Sequence, residues 1–201
     1  MIMEEKILDL FLYNHKLKFN EIEKYIKIRS NKLAYHLKNL IKKGILTKNQ
    51  DYYELSETSE HVIPYLSKKQ HALPVLLIHI GNKTQSFLFK REKRPFKDKL
   101  SLPGGRLLIG ESIDQATKRI MKEKFSIEVE FKKINSVSLE HVKRKNIIHS
   151  FILIFVSAKS KQKIPLTEIR KNKSKIIPSD YQLLNQDLNK KINIKTLFTP
   201  A

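Results

Sequence analysis

At 201 residues the chain has room for one large domain or two small ones, and a hydrophobic content of 40% is enough for packed cores. It contains no cysteine, which excludes disulfides, thiolate zinc sites and cysteine nucleophiles. The 40 Lys/Arg against 20 Asp/Glu give a formal net charge of +20, a field that draws polyanions: nucleic acid first, with membrane surface or anionic metabolites as alternatives, and simple solubility as the plainest explanation.

The chain opens MIMEEKILDLF, with acids where a secretory signal would carry basic residues. Its longest apolar stretches, residues 72–80 and 147–156, are too short to span a bilayer. The expectation is a cytoplasmic protein with no membrane partner. Residues 4–13 place Ile7, Leu8, Leu10 and Phe11 on one apolar stripe of a helix. A short second helix is predicted over 20–26, with Asn20 as its cap. A third runs over 30–43, capped by Ser30, with Leu33, Leu37, Leu40 and Ile41 inward and Gly44 closing it. ILTKNQDYYEL then reads as two strands around Asn49-Gln50-Asp51. A further helix is predicted over 58–66; Val62, Ile63, Tyr65 and Leu66 would form either a homodimer seam or an internal contact.

A polar SKKQ run precedes a change of pattern, which sets the expected boundary between residues 1–70 and 71–201. The first segment carries 13 Lys/Arg and 9 Asp/Glu, the second 27 and 11, so the second supplies most of the positive field. In the second segment VLLIHI and SFLFKRE suggest a hairpin about Gly81-Asn82. Pro103-Gly104-Gly105 marks a turn, residues 112–125 a helix, and 128–142 and 147–158 two strands. Residues 159–175 carry seven Lys/Arg against Glu168, either as a contact to DNA phosphates or as a solvated surface. Leu183, Leu184, Leu188, Ile192 and Ile194 suggest that the last segment packs onto the domain.

The N-terminal order of helices and hairpin, with the run from Leu33 to Leu46 (LAYHLKNLIKKGIL), resembles the winged helix-turn-helix of the arsenic-repressor type. The resemblance implies double-stranded DNA as partner. A helix fits the major groove, where polar side chains read base edges. The residues so placed are Asn31, Lys32, Tyr35, His36, Lys38 and Asn39. Arg29 and Ser30 would meet phosphate at the helix start, and Lys48 would act from the wing. A protein-binding winged helix is the alternative.

Residues 102–127, LPGGRLLIGESIDQATKRIMKEKFSI, resemble the Nudix box: glycine, five residues, glutamate, seven residues, Arg-Glu, an apolar residue, any residue, Glu-Glu, any residue, glycine and an apolar residue. The spacing fits without a gap from Gly105 through Glu111 to Arg119. The family's clustered glutamates bind Mg²⁺ or Mn²⁺ to cleave diphosphates. Here their positions hold Ile120, Glu123 and Lys124, and Ser126 stands for the closing glycine. One carboxylate beside a lysine is a poor divalent site, so Glu123 is the single metal candidate, and Mg²⁺ or Mn²⁺ is expected only if hydrolysis is retained. Retained catalysis would draw on Glu111, Glu123 and Glu140, with His141 and His149 as assisting bases.

Arg91, Arg94, Gly104, Gly105, Arg106, Arg119, Glu123 and Lys124 are the expected ligand-binding set, although in the family the arginine at the Arg119 position mainly orients a carboxylate. The two resemblances imply an α+β chain: a winged helix (three helices plus a β-hairpin) followed by a Nudix-like α/β/α mixed-sheet domain with a basic extension. They imply a transcription regulator that senses a nucleotide or sugar-nucleotide ligand, such as ADP-ribose. A Nudix hydrolase with an attached winged helix, or a non-sensing architectural protein, are the rivals.

Overall fold

The structure, a computed structural model, describes residues 3–60, 71–92, 95–143 and 145–197. It divides into two compact units, Met1–His71 and Ala72–Ala201.

The first unit comprises α1 (Met3–Leu10), β1 (Lys16–Lys18), α2 (Phe19–Ile26), α3 (Ser30–Lys42), β2 (Leu46–Asn49), β3 (Tyr52–Leu55) and the single turn α4 (Glu57–Glu60). The strands form an antiparallel sheet in the order β1-β3-β2. Ile7 and Leu8 of α1, Ile22 of α2, and Leu33, Leu37 and Leu40 of α3 recur at helical spacing and meet Leu17, Leu46 and Tyr53 in one core. Gly44, at φ 69°, supplies the left-handed residue that turns the chain out of α3.

Three local expectations change. The α2 cap is Lys18 rather than Asn20, with Glu21 reaching back to the Lys18 N–H at 2.7 Å. The α3 cap is Arg29, because the Ser30 hydroxyl donates instead to Glu23 at 2.5 Å. Ile41 lies outside the core, 37% exposed. Most of the helix expected over 58–66, including its dimer seam, lies outside the described residues.

The second unit contains β4 (Leu73–His79), β5 (Gln85–Ser86), β6 (Phe89–Lys90), β7 (Leu100–Ser101), β8 (Gly104–Arg106), α5 (Ile113–Phe125), β9 (Glu130–Lys143), β10 (Ile147–Lys159), β11 (Thr167–Glu168) and α6 (Pro178–Gln186). Its main sheet has the order β8-β4-β10-β9, with β4 and β10 parallel and the other pairs antiparallel. Side chains alternate along β4, so the sheet has two buried faces. Leu76 and Ile78 pack with Ala116, Ile120 and Met121 of α5. Leu77, with Leu153 and Phe155 of β10, packs against Leu183 and Leu184 of α6. The sheet therefore lies between α5 and α6.

The chain does turn at Gly81-Asn82, where the Asn82 carboxamide oxygen accepts from the Thr84 and Gln85 N–H groups. The returning strand then leaves β4: β5 pairs with β11, and β6 with β7. Within the final segment Leu183 and Leu184 are buried, but Ile192 and Ile194 are 38% and 45% exposed and stay outside the core. No helix among the described residues is long and apolar enough to cross a membrane.

Candidate functional site: the pocket beside the Gly104-Gly105 turn

A cavity of about 700 Å³ opens at one end of the second unit's sheet. Its walls come from β4 and β10 (Val75, Leu77, Phe151, Leu153), from the Gly104-Gly105 turn, from Lys124 and Phe125 at the end of α5, and from Asp180 at the start of α6. Arg91 and Arg106 contribute cations, and Glu92 and Glu140 two further acids. Phe89, Phe96 and Phe125 add aromatic wall, with Phe125 held edge-on by Phe87 and Phe89 at 5.4 and 5.1 Å between centroids.

The turn is glycine for a packing reason. A Cβ on Gly104 would meet the Leu76 carbonyl oxygen at 2.6 Å, and one on Gly105 would meet Ile120 Cγ1 at 2.9 Å. Ile120 is thus directly beneath the turn, fully buried in the α5 core. Lys124, one turn along, donates from Nζ to the Gly104 carbonyl at 2.5 Å. α5 itself is well specified: Ser112 caps it by accepting from the Gln115 N–H, while the Gln115 side chain accepts from the Ser112 N–H. Its far end turns at Ser126, which adopts φ 56°.

The remaining acids are held by Arg119. Glu111 forms a two-pronged pair with the Arg119 guanidinium, and Glu123 approaches Arg119 Nη1 at 3.4 Å. Arg119 also donates to the Arg106 carbonyl at 3.0 Å, and Glu111 accepts from the Leu108 N–H at 3.0 Å. The hydrogen bond from Arg119 lowers the Glu111 pKa and raises that of Arg119. Of the expected ligand-binding residues, Arg91, Gly104, Gly105, Arg106 and Lys124 line the cavity, and Arg119 and Glu123 do not. Arg91 is positioned by donating from Nε to the Pro95 carbonyl at 2.7 Å. Arg94 lies outside the described residues.

The carboxylates considered for catalysis do not converge. Glu111 and Glu123 share Arg119, whereas Glu140 lies on the cavity wall. Among the described residues no group of three or more His, Asp or Glu is placed to hold a metal ion. The residues present do not fit Mg²⁺ or Mn²⁺ at the box: one position is buried hydrocarbon and another an ammonium group. His141 instead meets Ser150 Oγ at 2.8 Å, and His149 stacks obliquely near Phe151.

Asp180 was not anticipated. It is 3% exposed, and its Oδ2 accepts from the Leu102 N–H at 2.7 Å and the Ser101 hydroxyl at 3.0 Å. Burial pushes its pKa up to about 7; the two hydrogen bonds and Arg91 oppose that rise, and Glu140 adds to it. The only hint in the sequence was Pro178-Ser179-Asp180 before Leu183-Leu184, a helix start with proline in its first turn.

A family profile described as "NUDIX domain" matches residues 70–179. The chain belongs to the Nudix family. Among solved structures it is similar to a MutT Nudix hydrolase from Burkholderia pseudomallei, at 16% identity and a TM-score of 0.50, covering 58% of this chain and 98% of that one. It is also similar to a Nudix hydrolase from Nitrosomonas europaea (16% identity, TM-score 0.48, 56% and 85% covered). A third is the Nudix domain of Shewanella oneidensis NrtR complexed with ADP ribose (14% identity, TM-score 0.47, 66% and 96% covered). These likenesses concern the fold alone. Comparison with curated proteins finds no match.

The residues expected to read DNA fall on α3 and the β2–β3 hairpin. Arg29, Ser30, Asn31, Lys32, Tyr35, Lys38 and Lys48 are exposed. His36 and Asn39 are half-buried, and His36 Nδ1 is enclosed without a hydrogen-bond partner. Lys48 rests over the Tyr53 ring, 5.6 Å from its centroid.

Proposed function

We propose that this Nudix protein is a DNA-binding transcription regulator whose pocket binds a nucleotide-type ligand, a nucleoside diphosphate derivative, without hydrolysing it. Ile120 carries the reading. Its side chain is packed beneath Gly105, so a family metal-ligand position has become part of the core. Lys124 meanwhile puts positive charge at the next carboxylate position. That charge repels a divalent cation and attracts a phosphate, so Lys124 and Arg106 suit a ligand diphosphate. The phenylalanine wall suits a nucleobase, and Asp180, near its midpoint of titration at neutral pH, can accept from or donate to a polar edge of that base.

The DNA-binding half of the proposal is supported by the element order of the first unit, α1-β1-α2-α3-β2-β3, which is that of a winged helix, and by the cationic exposed face of α3. A ligand would act by binding two states of the protein with different affinity.

The hydrolase alternative draws on one observation: Glu92, Glu140 and Asp180 all line the cavity, so three acids remain available for proton transfer. Incubation with ADP-ribose separates the readings. A melting shift in the absence of metal, with the nucleotide recovered intact after Mg²⁺ or Mn²⁺ is added, supports sensing. Release of AMP with metal, lost in Glu140→Gln, establishes hydrolysis instead.

A further inference from the structure

We infer that the second unit holds a separate anion site, built for phosphate groups, at the other end of β4. Strands β4 and β10 run parallel and finish together, at His79 and Lys159, where antiparallel β9 begins at Glu130. Crevices outside the carboxyl ends of parallel strands are a recurrent place for ligands in α/β sheets. The register sets His79, Ser157 and Lys133 side by side across the three strands. His79 lies on the same sheet face as Leu77, the face that α6 covers. α6 starts at the first pocket, through Asp180, and the chain beyond its end borders the second, through Leu188, Asn189 and Lys191.

This open cleft has a volume of about 350 Å³, and Lys83, Lys132, Lys133, Lys159 and Lys191 line it, with no carboxylate among the lining residues. The five lysines have different work. Lys133 donates to the Leu188 and Lys190 carbonyls, both at 2.8 Å, and so closes the chain beyond α6. Lys132 pairs with the neighbouring Glu130 at 2.5 Å. Lys83, Lys159 and Lys191 contribute three further cations from three separate segments of chain, and all three are exposed.

The field is positive even at Glu130, whose pKa is lowered by the hydrogen bond and charge of Lys132, with Lys159 and Lys161 adding to the effect. Some lysines elsewhere pair with acids, as in Lys43–Glu4, Lys118–Asp114 and Lys122–Glu128. His79 completes the site as an uncharged group: burial, then Lys133, holds its pKa down near 4, and its Nδ1 lies 2.9 Å from Ser86 Oγ.

A cavity of this size admits a di- or triphosphate more readily than a whole nucleotide. The same oxyanions can arrive on a free polyphosphate or on a nucleic-acid backbone. The site does not depend on the nucleotide-sensing reading, because it shares no residue with the first pocket.

Calorimetric titration of the full chain with tripolyphosphate, and separately with a short random-sequence duplex, tests it. The duplex is titrated in a Lys32→Ala/Lys38→Ala background to reduce any contribution from α3. The variant Lys83→Gln/Lys159→Gln/Lys191→Gln should weaken binding about tenfold, and a charge-matched control, Lys97→Gln/Lys145→Gln/Lys163→Gln, less than about threefold. Lys191→Glu alone, on the exposed segment beyond α6, should weaken binding in the same direction. Selective loss for tripolyphosphate identifies a small-ligand site, for the duplex a backbone contact, and for both a shared one. Equal loss in the two triple variants, or no saturable binding of either probe, overturns the site.

Discussion

Replacing Asp180 by Asn should remove a fall in stability that the native chain undergoes as pH rises from about 4 to about 7. Both hydrogen bonds to this side chain reach one oxygen, Oδ2, so an Asn carboxamide oxygen can accept them unchanged. What changes is the titration. Burial raises the folded-state pKa from 3.8 to about 7. Between those values the folded chain holds a proton that the unfolded chain has released, so stability declines with rising pH and is level above the folded pKa. Each tenfold difference in proton affinity between the folded and unfolded chain is worth about 1.4 kcal/mol, which sets an upper bound of roughly 4 kcal/mol. With an effective dielectric well above that of dry protein, about 2 kcal/mol is the expected size.

The assay is urea unfolding of the native and Asp180→Asn chains at pH 5 and pH 8. The variant should be more stable than the parent at pH 8, and the gap should close toward pH 4. His79, whose lowered pKa acts in the opposite sense over the same range, cancels in the difference between the two chains. An unchanged pH slope in the variant, or lower stability at pH 8, would refute the assignment of this buried carboxyl.

Three further outcomes follow from the same geometry. Ser126→Gly should stabilise the chain by about 1 kcal/mol, since Ser126 holds φ 56° where the family carries glycine; a melting temperature raised by a few degrees is the readout, and no change would mean the left-handed residue is unstrained. Ile120→Glu, restoring a family carboxylate, should cost roughly 3 kcal/mol or more by urea unfolding, because the side chain would sit in hydrocarbon beneath Gly105. Full stability in that variant would mean the position opens to water. Lys32→Ala/Lys38→Ala should abolish sequence-specific retardation of DNA and reduce the salt dependence of binding by about two counterions, whereas unchanged binding would remove α3 as the reading element.

Much of the fold was legible because local and tertiary demands agreed. α3 and α5 show apolar spacing at the helical period, and α5 carries its capping pair in Ser112 and Gln115. The long strands β9 and β10 match their expected extents within a residue or two. What escaped depends on contacts distant in sequence. β1 is three residues long and exists by pairing with β3, more than thirty residues later. Asp180 is defined by Ser101 and Leu102 across the pocket, and nothing in the lysine-rich segment before it announces that meeting. Gly104, Gly105 and Lys124, singled out from the Nudix box, all border the cavity, since they are tied to one turn and one helix. Arg119 and Glu123 lie outside that cavity, because the helix face they occupy directs Arg119 to Glu111 and Glu123 to Arg119.

The most direct test joins the two units of the chain. DNA enriched from a random duplex pool by the full-length protein is titrated with and without the nucleotide that raises its melting temperature most, in the absence of divalent metal. A ligand-responsive regulator shows saturable, sequence-dependent binding whose affinity changes at least about fivefold when the nucleotide is added. Enrichment of no sequence, or an affinity indifferent to every nucleotide, would contradict it.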